Sequence, residues 1–166
     1  MTNEHTDLAI ISRAKEDNVK LVQLQFTDIN GNIKAVTIPI EKFPESIEKG
    51  IWFDGSSIEG FTRICESDMY LKPDTSTYAL LPWETEEPTA RLFCDVYMPD
   101  GTPFEGDPRY ILKRAIKNAQ SLNFEYNVGP ELEFFLFKPK GDGQVEPTPH
   151  DVGSYFDFSP RDLAGN

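Results

Sequence analysis

Two glutamates, Glu131 and Glu133, stand at alternate positions in the strongly apolar stretch Gly129-Pro130-Glu131-Leu132-Glu133-Phe134-Phe135-Leu136-Phe137. In a β-strand the two-residue period puts both acids on one face and Leu132, Phe134 and Leu136 on the other. Their Cα atoms then lie roughly 6.6 Å apart, so each carboxylate can serve a different, adjacent divalent cation. Burying two like charges among apolar neighbours is costly unless a cation neutralises them. A hard ion such as Mg²⁺ or Mn²⁺ does so through oxygen ligands. The competing reading is an edge strand with a solvated polar face. Phe135 and Phe137 argue against it, because they continue the acid-bearing face as large apolar residues.

A second candidate is Asp54, in Ile51-Trp52-Phe53-Asp54-Gly55-Ser56-Ser57-Ile58-Glu59-Gly60-Phe61. The centre of this stretch is rich in small hydrogen-bonding residues and its ends are bulky and apolar. It is either a turn in which Asp54 bonds its own backbone, or a loop that presents Asp54 to a ligand while aromatic anchors hold its ends. Arg63 follows, and Glu66 or Asp68 can pair with it at the surface.

Composition narrows the chemistry further. Sixteen basic and 28 acidic residues give a net charge of −12, which argues against a nucleic-acid phosphate groove. It suits a protein that binds metal or small molecules. Cys65 and Cys94 form no CxxC pair, so neither a structural zinc site nor a disulfide framework is expected. The amino terminus has no basic region and no long apolar run, so neither signal peptide nor membrane span is expected, and the expected location is cytoplasmic. His5 and His150, in polar or Pro-rich surroundings, read as surface residues.

The positioning elements come next. Thr6 or Asp7 can cap a helix with apolar positions Leu8, Ile11 and Ala14, ending near Asn18. Residues 19–26 read as a strand whose alternation slips near Leu21-Val22, suggesting a bulge or burial on both faces. Asn30-Gly31 signals a hairpin into a second strand at 33–38. A short helix over 44–49 ends at Gly50. Residues 78–81 and 90–97 read as two more strands, so the first hundred residues form an α+β unit of four strands and a helix. The turn formers Pro99-Asp100-Gly101-Thr102-Pro103 mark a domain boundary, dividing the chain into 1–103 and 104–166. Asp107-Pro108 then caps a helix with the apolar stripe Ile111, Leu112, Ala115, Ile116, Ala119 and Leu122. A strand near 124–128 leads to the acidic strand, and a polar loop over 138–152 leads to Gly153-Ser154-Tyr155-Phe156-Asp157. These last elements are too few to cover both faces of a sheet.

Several stretches together resemble class I (bacterial-type) glutamine synthetase, in family order and over nearly the whole chain. They are Phe26-Thr27-Asp28, Phe53-Asp54-Gly55-Ser56-Ser57-Ile58, Glu66-Ser67-Asp68-Met69, Asp100-Gly101-Thr102-Pro103 with Asp107-Pro108-Arg109, residues 129–137, and residues 153–156. The resemblance covers only the amino-terminal third or so of the family. It implies an α+β fold, with a β-grasp domain followed by the first elements of the catalytic α+β barrel. It implies ligation of ammonium to L-glutamate with ATP through a γ-glutamyl phosphate, two Mg²⁺ or Mn²⁺ ions per complete site, and a dodecamer of two hexameric rings.

By match, Glu133 ligates the metal nearer glutamate and Glu131 the metal nearer ATP, while Asp54 binds ammonium and takes its proton. Ser57 and Tyr155 match further positions of the ammonium pocket. Arg63 matches an arginine linked to glutamine feedback. Leu132 stands where the family usually has Pro, which keeps the extended alternation, and Cys65 replaces a usually polar or acidic residue. The remaining family ligands lie beyond Asn166, so the chain alone is expected to be inactive. The alternatives are a non-catalytic β-grasp interaction module that associates with full-length synthetase subunits, and a relative that ligates another amine. The intact Asp54 loop favours ammonium over the latter.

Overall fold

The structure, a computed structural model, describes residues 3–58, 68–139, 145–154 and 156–157. Two units are distinguished by their internal packing, Met1–Tyr126 and Asn127–Asn166. The first is built on one mixed sheet. Helix α1 (Asn3–Glu16) precedes β1 (Leu21–Thr27) and β2 (Ile33–Pro39), then come α2 (Phe43–Lys49), β3 (Ile51–Asp54) and β4 (Asp68–Pro73). The two-residue β5 (Ala79–Leu80), the long β6 (Thr89–Tyr97) and α3 (Pro108–Ser121) complete the unit. The strand order is β2-β1-β6-β4-β3, with β5 paired to β6. Among the described strands only β1 and β6 run parallel, in the middle of the sheet. A parallel pair needs a long crossover, which α2, β3 and β4 occupy.

Alternation decides which face is core. Val22, Leu24 and Phe26 of β1, Met69 and Leu71 of β4, and Leu92, Cys94 and Val96 of β6 are buried on one face. Ala14 and Phe43 cover that face from α1 and α2, with Ile10, Ile11 and Ile47 packed around them. The expected slip in β1 does not occur. Its burial alternates without a break, and its register to both neighbours is continuous, because Leu21 is only partly buried and so belongs to the outer face. In α1 the expected core position Leu8 is exposed, and Ile10 takes its place.

Local chemistry accounts for the joints. Asn18 ends α1 in the left-handed region, at φ 54°. The β1–β2 turn is organised by the nearly buried Asp28, whose carboxylate accepts the backbone N–H of Asn30 and Asn32 and the Asn32 amide, with Gly31 at φ 84°. Burial alone would push the Asp28 carboxyl up, but the Asn32 and Asn30 donors and the Lys34 charge hold it below the usual range. Gly50 closes α2 at φ 74°, ψ 179°, a conformation essentially confined to glycine. A Cβ there would meet the Leu71 carbonyl oxygen at 2.7 Å and the Tyr70 ring at 2.8 Å. Gly50→Ala is therefore expected to destabilise the fold by about 2 kcal/mol, read as a lowered urea midpoint at unchanged m-value.

Two strands of the first unit were not foreseen, and in the second unit residues 145–149 form a strand where a polar loop over 138–152 was expected. The Asp54 stretch, read as a turn or loop, begins as β3 and pairs antiparallel with β4, whose first residue Asp68 was read as a surface partner of Arg63. The converse error concerns residues 124–136, which form no strand; only β7 (Phe137–Pro139) does, paired with β8 (Val145–Pro149). The acidic segment is apolar enough for a strand, but strands are held by inter-strand hydrogen bonds; the Leu136 carbonyl accepts the His150 N–H at 2.8 Å, and among the described residues no strand pairs with 129–135. Leu132 is 87% exposed and Phe135 82%.

Candidate functional site

Asp54 is the last residue of β3 and caps the 3-10 turn Gly55–Ser57. Its Oδ1 accepts the Ser56 backbone N–H at 2.9 Å and the Ser56 hydroxyl at 2.6 Å. The Ser56 hydroxyl, then its N–H, and more weakly Ser57, hold the carboxyl below the usual range. Gly55 is buried, whereas Asp54 is exposed. The turn thus fixes a fully ionised carboxylate at the exposed end of an edge strand. That arrangement can attract a small cation and accept hydrogen bonds from it. Across the strand pair Asp54 faces Asp68, so the end of β3–β4 carries two acids.

Ser57 lies in the same turn. Arg63 and Tyr155 lie outside the described residues. Glu131 and Glu133 belong to the second unit, on exposed irregular backbone. Among the described residues no three His, Cys, Asp or Glu side chains gather closely enough to hold a metal ion. Mg²⁺ demands near-octahedral oxygen coordination, and Ca²⁺-like sites take more ligands still. Two carboxylates on an unpaired segment do not amount to such a set, so the described residues do not by themselves fit a divalent-cation site. In the same unit His150, expected at the surface, is half-buried, with Nδ1 3.6 Å from an Asp151 carboxylate oxygen.

One polar cluster escaped sequence reasoning. Asp107, fully buried, caps α3 through Oδ1, which accepts the Arg109 N–H at 2.9 Å, and its Oδ2 accepts the Val96 N–H of β6 at 3.1 Å. The Arg109 guanidinium bridges Asp74 at 2.5 Å and Asp95 at 2.7 Å, and Lys113 reaches Asp95 at 2.6 Å. The signal was present: Asp95 interrupts the apolar strand Leu92-Phe93-Cys94-Asp95-Val96, and an acid there needs a cationic partner. Burial pushes the Asp74 carboxyl up, but the Ser76 and Arg109 hydrogen bonds and the guanidinium charge outweigh it and hold it down.

An acid with a lowered folded pKa contributes stability above its unfolded value, about 3.9, and loses it as pH falls through the folded one. Arg109→Met is accordingly expected to cost about 1–2 kcal/mol at pH 7, since the pairs are partly solvated. The difference from wild type should shrink below pH ~4, as denaturant melts across pH would show.

An α+β protein emerges, with a mixed five-strand path carrying a carboxylate turn at its edge and a capped helix clamped to it. Residues 18–99 match the family model of the glutamine synthetase β-grasp domain, and residues 105–166 that of the glutamine synthetase catalytic domain. The chain belongs to the glutamine synthetase family. It is 53% identical over 156 residues to a glutamine synthetase of Methanosarcina mazei, covering 93% of this chain and 35% of that one. A Clostridium saccharobutylicum glutamine synthetase is 48% identical over 164 residues, covering 98% and 37%. The chain therefore spans about a third of the length of these relatives.

Among solved structures, a GmaS/ADP complex superposes with a TM-score of 0.63 at 26% identity, covering 68% of this chain and 26% of that one. A glutamine synthetase of Plasmodium falciparum superposes with a TM-score of 0.63 at 23% identity, covering 70% and 23%, and shares the fold. Among the described residues no helix is long and apolar enough to cross a membrane.

Proposed function

We propose that this chain supplies the β-grasp domain (1–103) and the first catalytic elements (104–166) of a class I glutamine synthetase, and catalyses nothing by itself. The observation that carries this reading is that two glutamine synthetase family models match consecutively, over 18–99 and 105–166. The complete enzyme joins ammonium to L-glutamate with ATP, through a γ-glutamyl phosphate, as a cytoplasmic dodecamer. Asp54 binds ammonium and accepts its proton, because only neutral ammonia is a nucleophile. Its ionised, exposed carboxylate supports that role. Ser57 and Tyr155 complete the ammonium pocket, and Arg63 clamps the carboxylate of glutamine in feedback. Glu131 and Glu133 each give one ligand to a divalent cation once the rest of the coordination set is present. Helix α3 belongs to the catalytic part although it docks on the β-grasp sheet.

The test is a comparison of the purified chain with a chimera that joins it to the last two-thirds of the Methanosarcina mazei relative. Given glutamate, ammonium, ATP and Mg²⁺, the chimera forms glutamine and the chain alone does not. Turnover by the chain alone would overturn its inactivity. A folded but silent chimera would overturn the ligase reading.

A further inference from the structure

The two oxygens of the Asp54 carboxylate are not equivalent. Oδ1 takes both donors of Ser56, the backbone N–H at 2.9 Å and the hydroxyl at 2.6 Å. A carboxylate oxygen offers about two lone-pair sites, so these bonds fill Oδ1 and fix the rotation of the carboxylate plane. Oδ2 is then the oxygen that meets an incoming donor.

The same lock recurs in this chain, and at Asp74 its outcome is visible. Asp74 Oδ1 accepts the Ser76 N–H at 3.1 Å and the Ser76 hydroxyl at 2.6 Å, at the start of another 3-10 turn. The backbones agree, with Asp54 at φ −84°, ψ 101° and Asp74 at φ −92°, ψ 101°. Asp74 Oδ2 receives the Arg109 guanidinium at 2.5 Å. One oxygen is held by the turn and the other meets a cation. Asp100 repeats both Oδ1 bonds with Thr102, so the lock needs only three adjacent residues.

We propose that Ser56 is a positioning residue for the ammonium step, occupying Asp54 Oδ1 so that Oδ2 is the oxygen that holds ammonium and accepts its proton. The inference rests on the functional reading above, in which Ser57 and Tyr155 have parts in the pocket and Ser56 has none. The proton of ammonium passes to Oδ2, and the nitrogen keeps the electron pair with which it attacks. The lock matters because a misplacement of about 1 Å can cost roughly 10²-fold in rate. The Ser56 donors also favour the ionised carboxylate, so Asp54 holds ammonium as a cation before taking its proton.

The experiment measures initial rates of the active chimera with ammonium, glutamate and ATP varied in turn. Ser56→Ala keeps the backbone N–H and loses the hydroxyl, and thermal melts should show it folded. It should lower kcat/KM for ammonium by about tenfold and leave KM for glutamate and ATP unchanged. Ser56→Thr, which keeps a hydroxyl, should recover most of the loss. In an Asp54→Asn background Ser56→Ala should cost nothing further, because its effect runs through Asp54. Unchanged ammonium kinetics in Ser56→Ala, no recovery in Ser56→Thr, or an additive loss in the double variant overturns the proposal. Those results leave the ligase reading standing wherever Asp54→Asn is itself slow. A silent chimera sinks that reading and the lock with it.

Discussion

Asp54→Asn, placed in the active chimera, is expected to lower kcat/KM for ammonium by about 10²- to 10⁴-fold, the range of a lost proton acceptor. The substitution separates the two roles available to this residue. Asn keeps a side-chain oxygen that can accept the Ser56 N–H and hydroxyl, so the turn over Gly55–Ser57 survives and melting temperature changes little. It loses the negative charge that draws a cation and the basicity that takes a proton. A residue that only shapes the turn would tolerate Asn with unchanged turnover, and that result would remove Asp54 from the chemistry. Ser57→Ala should be milder.

The pH dependence carries a sign of its own. Because the Ser56 hydroxyl holds the folded carboxyl below the usual range, Asp54 is ionised throughout neutral pH. An acid limb of the rate that belongs to this residue must therefore lie below the ordinary Asp value of about 3.9. A limb near neutrality would belong to another group.

Legibility in the sequence followed the range of the interactions. Caps, turns and the long apolar strands are set by a few adjacent residues, and Asp107-Pro108, Asn30-Gly31, Gly50 and β6 were readable from them. The strands β3 and β4 were hidden because Trp52, Asp54, Asp68 and Lys72 put polar or exposed side chains on an outer face that only the sheet order explains. The acidic segment failed in the opposite sense. Its composition suits a strand, yet pairing is a property of two segments, and no strand among the described residues pairs with 129–135. The apolar stripe that marked α3 as a helix was read correctly from its spacing. Of the candidate site, the sequence showed Asp54 and its turn; the ion cluster under α3 was signalled only by Asp95 in its apolar strand, because its partners Arg109 and Lys113, and Asp74 with them, are brought to it only by the fold.

That cluster makes Asp107→Ala the substitution with the largest expected effect on stability. Three losses coincide at one fully buried carboxylate. The Val96 N–H, in the middle of the sheet, loses its acceptor at 3.1 Å, and a buried donor left unpaired costs about 1–3 kcal/mol. Helix α3 loses its N-cap at Arg109 N, worth about 1 kcal/mol. The removed atoms also leave a small void. The total is about 3 kcal/mol, or roughly 8 °C in Tm for a chain of this size. Asp107→Asn should recover only part of it, since one of its two terminal atoms is a donor and would oppose one of the two N–H groups.

The pH response of this residue runs opposite to that of Asp74. Burial pushes the Asp107 carboxyl up, against the N–H bonds from Val96 and Arg109 that pull it down. A raised folded value means that ionisation weakens the fold as pH rises from about 3.9 toward that value. Asp107→Asn removes this slope, so its stability deficit should be greatest in acid and smaller at neutral pH. Arg109→Met should show the reverse. Parallel denaturant melts of the two variants from pH 3 to 7 test the pair together, and deficits that moved in the same direction with pH would show that the cap and the clamp are not independent.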